Sequence, residues 1–208
     1  MIAVADSGVS NVQSVLRAFR AVGADAALTA DPDVVRRAER VVVPGVGHYA
    51  AAMRALDETG MSDAVVEGAR AGKPTLGICL GLQLFLEQSE EAPGVAGLGL
   101  LAGRVVRFRT SLPVPHVGWA RVRLTQSGRS QPVLAEAFSH GGTDAFFYHV
   151  HSFHPNGVAG DAALALAEYG TAFATIVGRD TVLGVQFHPE KSQAAGLALL
   201  EAFARWAP

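Results

Sequence analysis

Pro74-Thr75-Leu76-Gly77-Ile78-Cys79-Leu80-Gly81-Leu82-Gln83 is the stretch on which the reading of this chain turns. Pro74–Ile78 is a short apolar run of strand type, and Leu80–Gln88 continues with helical spacing. Glycines stand two residues before and two after Cys79. That is the pattern of a nucleophile elbow, in which the chain turns so sharply that only small flanks fit and the central side chain is lifted above the sheet edge. The thiol then sits at a helix N-terminus, where free N–H groups and the helix dipole favour a thiolate. The same residues also describe a glycine-softened strand–helix join around a packed thiol.

Upstream of this stretch, strands and helices alternate. Ile2–Ala5 is a β run. Ser10 is placed to cap a helix carrying Val12, Val15, Leu16, Phe19 and Val22 at helical spacing, which Gly23 stops. Ala24–Thr29 is a weaker strand ended by Asp31-Pro32, and Arg40–Val43 is a buried strand closed by Pro44. Helices are predicted over His48–Glu58 and Ser62–Ala71. Strands separated by helices at this spacing imply βαβ units and a parallel sheet.

Downstream the pattern changes. Leu101–Phe108, Trp119–Thr125, Ala145–Val150, Ala162–Glu168, Ala172–Val177 and Val182–Phe187 read as strands with few helices between them. Gly94–Gly99 and Ser127–Gly142 read as loops. Ser192–Trp206 is a closing helix with Leu197, Leu200 and Phe203 turned inward. The predicted fold class is α/β: a central, mostly parallel sheet flanked by helices, with antiparallel strands added late, in one domain over residues 1–208.

Composition narrows the function. Half of the 208 residues are hydrophobic and 17% are charged, which excludes a disordered tail or a coiled coil. A formal net charge of −2 argues against nucleic-acid binding, which needs a dense basic patch. Apolar runs fall short of a membrane span, and Met1–Asp6 lacks the basic and apolar segments of a signal peptide. The one cysteine has no partner for an internal disulfide, and a cytoplasmic, reducing location is expected.

A thiolate nucleophile needs a proton-transfer partner, which must itself be oriented. Val182–Phe187 is followed by His188-Pro189-Glu190, at a strand's carboxyl end, where open α/β sheets place their sites. Pro189 forces His188 to be extended, and residues at i and i+2 of an extended chain share a face, so Glu190 is placed to hold the imidazole. Acyl chemistry also needs donors for an oxyanion. The N–H of Leu80 is one. Pro44-Gly45-Val46-Gly47 offers another from Val46 or Gly47, because its glycines let peptide planes rotate; it also reads as a simple flexible turn.

These pieces in this order resemble the class I (triad) glutamine amidotransferases, over nearly the whole chain. Within that group Pro44-Gly45-Val46-Gly47, Gly77–Gln83, Pro115-His116-Val117-Gly118-Trp119, Val150-His151-Ser152-Phe153 and Phe187–Ser192 look like the glutaminase subunits of imidazole glycerol phosphate synthase, of histidine biosynthesis. The Pro-His-x-Gly-Trp segment and the Glu-Lys-Ser ending carry that narrower likeness. It implies a flavodoxin-like three-layer fold, a Cys79-His188-Glu190 triad and no cofactor. It implies that Gly47, Gln83 and the backbone of His151, Ser152 and Phe153 hold the amino-acid end of glutamine. It also implies a heterodimeric partner, a (β/α)₈-barrel cyclase that receives ammonia, faced by Asn11, Trp119, Tyr148 and Lys191. Relative to the family's usual pattern the chain has Ser7 for Tyr and Ser10 for Gly before Asn11. It also has His48-Tyr49 for a small residue and Phe, Ala120 for Asn, and His149 for an apolar residue.

Other signals point elsewhere. His149-x-His151-x-x-His154, with His140 nearby, has strand spacing that puts His149 and His151 on one face, as metal ligation requires. Neither a second cysteine nor a carboxylate cluster accompanies them, and no metal is expected. Gly97–Gly103 misses the spacing of a dinucleotide loop. Arg104, Arg107 and Arg109 read as the solvated face of a strand.

Overall fold

The computed structural model describes residues 1–6, 12–139 and 142–208. Ser7, Ser10, Asn11 and His140 lie outside the described residues. The strands are Ile2–Ala5 (β1), Ala26–Thr29 (β2), Arg40–Gly45 (β3), Thr75–Cys79 (β4), Gln88–Ser89 (β5) and Arg104–Arg107 (β6). They continue with His116–Leu124 (β7), Asp144–His151 (β8), Phe153–Asn156 (β9), Ala163–Glu168 (β10), Ala172–Arg179 (β11) and Val182–Val185 (β12). The helices are Val12–Ala21 (α1), Pro32–Arg37 (α2), Tyr49–Glu58 (α3), Met61–Arg70 (α4) and Leu80–Phe85 (α5). Gln126–Ser130 (α6), Pro132–Ala137 (α7) and Gln193–Arg205 (α8) complete them.

Among the described residues nine strands form one sheet in the order β2-β1-β3-β4-β12-β11-β10-β7-β8. β2 through β12 in that order run parallel, and β11, β10, β7 and β8 add antiparallel. A second sheet has the order β5-β6-β9. This is the predicted fold class. The parallel strands are buried on both faces, which is why they read as unbroken apolar runs. Alternate side chains supply two cores. Ile2, Val4, Val42, Leu76 and Ile78 pack on Phe19, Leu200 and Phe203 of α1 and α8, while Ala3, Val41 and Val43 face the α3, α4 and α5 side. Burying one such phenylalanine contributes about 1.5–3 kcal/mol.

Several boundaries differ from expectation. Asp31-Pro32 ends β2, as predicted, but also starts a helix: Asp31 accepts from the Asp33 N–H at 2.8 Å and Pro32 takes the first helical position. The stretch 127–142 was expected as loop, yet it contributes α6 and α7. Thr125 caps the first at Gly128 N–H (3.1 Å) and Gln131 the second at Leu134 N–H (2.9 Å). The helix after Cys79 ends at Phe85 rather than Gln88, because Leu86 turns extended and feeds β5. β7 starts at His116, three residues before the predicted Trp119, and β9 was not anticipated. Arg109 lies past β6 and pairs with Glu90 at 3.2 Å, so the three arginines do not share one strand. In α8 the large buried side chains are Leu199, Leu200 and Phe203, with Leu197 only partly covered. Among the described residues no helix is long and apolar enough to cross a membrane.

Candidate active site

β4 ends at Cys79, and the turn beyond it closes only around glycine. A Cβ on Gly77 would lie 2.7 Å from the Gly81 carbonyl carbon, and one on Gly81 would lie 1.8 Å from the Val43 carbonyl oxygen. β4, α5 and β3 therefore meet backbone to backbone. Cys79 is held at φ 54° and ψ −105°, a conformation that costs a residue with a side chain about 1–3 kcal/mol and persists where the surroundings impose it. Cys79 is 6% exposed, so it is sunk into the molecule rather than bared on top of the sheet, and it lines a cavity of about 350 Å³.

His188 follows β12 by three residues with extended backbone, φ −102° and ψ 95°. Glu190 does not continue that extended chain. It lies on a single 3₁₀ turn, Pro189–Lys191, and this turn brings Oε1 to 2.8 Å from His188 Nδ1. The expected same-face geometry of an extended chain is thus replaced by a turn with the same result. Both side chains are buried. The backbone around them is clamped: His188 N–H donates to Tyr148 O at 2.9 Å, and Ser192 Oγ donates to His188 O at 2.6 Å. Ser192 Oγ in turn accepts from Tyr148 N–H at 3.0 Å. Burial alone would lower the imidazole's pKa. Attraction to the Cys79 sulfur in its charged form, then the contact with Glu190, outweighs burial and pushes it up to about 10.

The cavity also gathers Val46 and Gly47 from the end of β3, Leu80 and Gln83 from α5, and His151, Ser152 and Phe153 from the turn between β8 and β9. Gly47 has φ +98°, which a side chain would strain. Leu80 opens α5, so its N–H has no intrahelical acceptor. Gln83 Nε2 donates to Phe153 O and to Gln186 Oε1, each at 3.2 Å. Lys191 lines the same cavity and lies over the Tyr148 ring, 6.0 Å from its centre. Trp119 meets Tyr148 edge to face at 6.2 Å on the outer surface of β7 and β8.

Three residues escaped the sequence reading. Glu91 lines the cavity, and its Oε2 accepts from Tyr49 N–H at 2.8 Å at the start of α3. In sequence it is one of several acidic residues in Glu87-Gln88-Ser89-Glu90-Glu91, indistinguishable from a solvated run. Gln186 is fully buried beside Cys79. A glutamine among Val182–Phe187 was the available signal. Phe146, 58% exposed, extends the apolar face of Trp119 and Val117, and in sequence it is one residue of an ordinary apolar strand.

Each histidine of the sequence's metal-like motif bonds the protein through at least one ring nitrogen, and His151 Nε2 is buried without a hydrogen-bond partner. His149 bonds Phe147 O (3.0 Å) and Thr175 Oγ1 (2.9 Å), His151 bonds Phe153 O (2.7 Å) and His154 bonds Pro155 O (2.9 Å). His149 and His151 do share a face, with ring centres 5.4 Å apart. A wider groove of about 560 Å³, bordered by Gln126, Asp161 and Arg179, pairs no nucleophile with a base.

The family description "Glutamine amidotransferase class-I" matches residues 3–205. Among curated proteins, imidazole glycerol phosphate synthase subunit HisH of Symbiobacterium thermophilum is 42% identical, covering 98% of this chain and 93% of its own. The subunit of the same name from Methanothermobacter thermautotrophicus is 40% identical, covering 98% and 97%. Among solved structures, one titled as a glutamine amidotransferase superposes with TM-score 0.74 at 17% identity over 98% of this chain and 99% of its own. The glutaminase domain of Trypanosoma brucei CTPS with bound acivicin gives 0.69 at 17% identity, covering 100% and 94%, a likeness of fold.

Proposed function

The chain belongs to the class I glutamine amidotransferases, and from that premise we propose that it is the glutaminase subunit of imidazole glycerol phosphate synthase, in histidine biosynthesis. It hydrolyses glutamine to glutamate and ammonia.

One observation carries the reading. The only thiol of the chain stands at a positive-φ elbow in a cavity, next to an imidazole braced at 2.8 Å by a buried carboxylate. In the proposed mechanism the Cys79 thiolate attacks the side-chain amide carbon of glutamine. The N–H of Leu80 and one from Val46 or Gly47 receive the oxyanion. His188 gives its proton to the leaving nitrogen as ammonia departs, and a thioester remains on Cys79. His188 then takes a proton from water, whose oxygen attacks the thioester, and returns that proton to the sulfur as glutamate leaves. Glu190 keeps Nδ1 protonated and the ring aimed.

Gly47, Gln83 and the His151–Phe153 backbone hold the amino-acid end of glutamine. We add Glu91 to that set, because it is the carboxylate of the cavity and an α-ammonium group needs one. Residues 1–208 act as one domain, without a cofactor, and the chain's lone unbridged thiol suits the cytoplasm.

The partner is a (β/α)₈ cyclase that consumes the ammonia in forming imidazole glycerol phosphate and AICAR. Trp119, Tyr148 and Lys191 face it, and Asn11 joins them from outside the described residues. Support comes from the exposed apolar strip of Val117, Trp119 and Phe146, which continues past Tyr148 to Lys191 on the cavity rim. The test combines the chain, the cyclase, its nucleotide substrate and glutamine. Glutamate should form with wild type and not with Cys79→Ala, and full activity in Cys79→Ala rejects the mechanism. If the loop of Val46 and Gly47 presents its donor only on docking, the isolated chain should be much slower than the complex; equal rates reject that step.

A further inference from the structure

Two buried side-chain amides separate the His151–Phe153 turn from the sulfur of Cys79. Gln186 is fully buried between β12 and His188, its N–H donating to Thr175 O at 2.8 Å. Its Oε1 accepts from Gln83 Nε2 at 3.2 Å, and its Nε2 lies 3.7 Å from Cys79 Sγ.

The direction of this chain of contacts is set at its far end. The Phe153 carbonyl has no hydrogen to give, so the group of Gln83 that faces it at 3.2 Å must be the NH₂. The second hydrogen of that NH₂ goes to Gln186, so the atom facing it must be the carbonyl oxygen. Gln186 is left with its own NH₂ toward the sulfur. A flipped Gln186 would set NH₂ against NH₂ at one end and an oxygen against the thiolate at the other. His151 Nδ1–H occupies the other side of the same Phe153 carbonyl at 2.7 Å, which anchors the starting point.

We infer that Gln186 is a positioning residue for the nucleophile: its side-chain N–H, locked in direction by Gln83 and the Phe153 carbonyl, holds the Cys79 sulfur and favours its thiolate. An N–H to a thiolate is a charge-assisted hydrogen bond and is stronger than one to a thiol, more so where water is excluded. The donor acts on the sulfur and not on substrate. Because the relay begins in the turn assigned to the amino-acid end of glutamine, a shift of that turn would loosen the hold on the sulfur. The inference rests on the reading of Cys79 as nucleophile.

The test uses full-length variants and follows alkylation of Cys79 by iodoacetamide against pH, with glutamine turnover measured in the presence of the cyclase. Gln186→Met keeps the volume and removes the donor. Its alkylation midpoint should rise by about one pH unit and kcat should fall about tenfold, with KM within about twofold of wild type. Gln83→Met, which lets the Gln186 amide turn, should shift the midpoint in the same direction. The double variant should shift it no further than Gln186→Met alone. If Gln186→Met does not fold, the Gln83→Met midpoint decides. An unchanged midpoint in the folded variant overturns the inference even if turnover falls, since lost packing would lower activity without moving the titration. Full activity in Cys79→Ala would instead overturn the reading of the site, which keeps the two failures apart.

Discussion

His149 Nε2 lies 2.9 Å from Thr175 Oγ1, and both residues are completely buried. The Phe147 carbonyl takes the other nitrogen at 3.0 Å, so Nδ1 carries the hydrogen and the Thr175 hydroxyl donates to Nε2. The imidazole is thus neutral in the fold. Burial, more than the neighbouring His116 and His188, pushes its pKa down to about 3.

The sign of the pH effect follows from that value. Between about pH 6.5 and 3 the unfolded chain binds a proton at His149 that the folded chain refuses, so stability falls as the solution is acidified through this window. One such group gives a slope of about 1.4 kcal/mol per pH unit. Burial lowers His116, His151 and His154 in the same direction. Urea unfolding of His149→Phe from pH 7 to 4.5 should show a slope smaller by about one proton. An unchanged slope would mean that His149 titrates alike in both states.

Glu190→Gln removes a contact that raises the His188 pKa, leaving burial less opposed. In the proposed mechanism the imidazolium is the acid that releases ammonia, so the alkaline limb of kcat should move to lower pH. Turnover should fall on the order of 10²-fold or more, by analogy with amide-for-carboxylate changes in other triads. Retention of wild-type rate and profile would remove Glu190 from the mechanism.

Gly81 and Gly47 should fail in different ways. A Cβ at Gly81 meets the Val43 carbonyl at 1.8 Å, backbone against backbone. Gly81→Ala should lose 3 kcal/mol or more, roughly the size of a severe overpacking effect, or not fold at all. A Cβ at Gly47 meets nothing within 4 Å, and only its φ of +98° opposes a side chain. Gly47→Ala should cost about 1 kcal/mol of stability while depressing glutamine turnover through the displaced peptide. Calorimetry beside a glutamate assay separates them, and equal stability losses would contradict the packing argument.

Trp119 is 46% exposed and supports little of the core. Trp119→Ala should leave stability within about 0.5 kcal/mol of wild type, while weakening association with the proposed cyclase partner about thirtyfold, the scale of an interface hot spot. Titration of labelled partner measures the second quantity. Undiminished affinity would move the interface off this face.

Much of the site was legible because its signals are local. Gly77 and Gly81 flank Cys79 within one turn of chain, Pro189 restricts its own neighbour, and Glu190 needs only a short turn to reach His188. The rest lies in elements too short to show a period or in contacts between distant segments. Asp31-Pro32 ends a strand and starts a helix with the same two residues, and the six-residue helix that follows is too short to show a helical period. The short helices Gln126–Ser130 and Pro132–Ala137 are too weakly periodic to stand out from a polar stretch. Glu91 looked solvated until the chain folded it against the N–H of Tyr49.

The amino-acid order by itself determined the strand–helix alternation, the elbow around Cys79 and the neighbouring imidazole and carboxylate, since backbone stereochemistry and apolar periodicity act over a few residues. Tertiary structure alone decided that Gln83 and Gln186, 103 positions apart, share a hydrogen bond beside the sulfur, and that His149 is sealed against Thr175. Those contacts depend on how strands and helices far apart in sequence are packed together, and that is settled by burying both faces of the sheet at once.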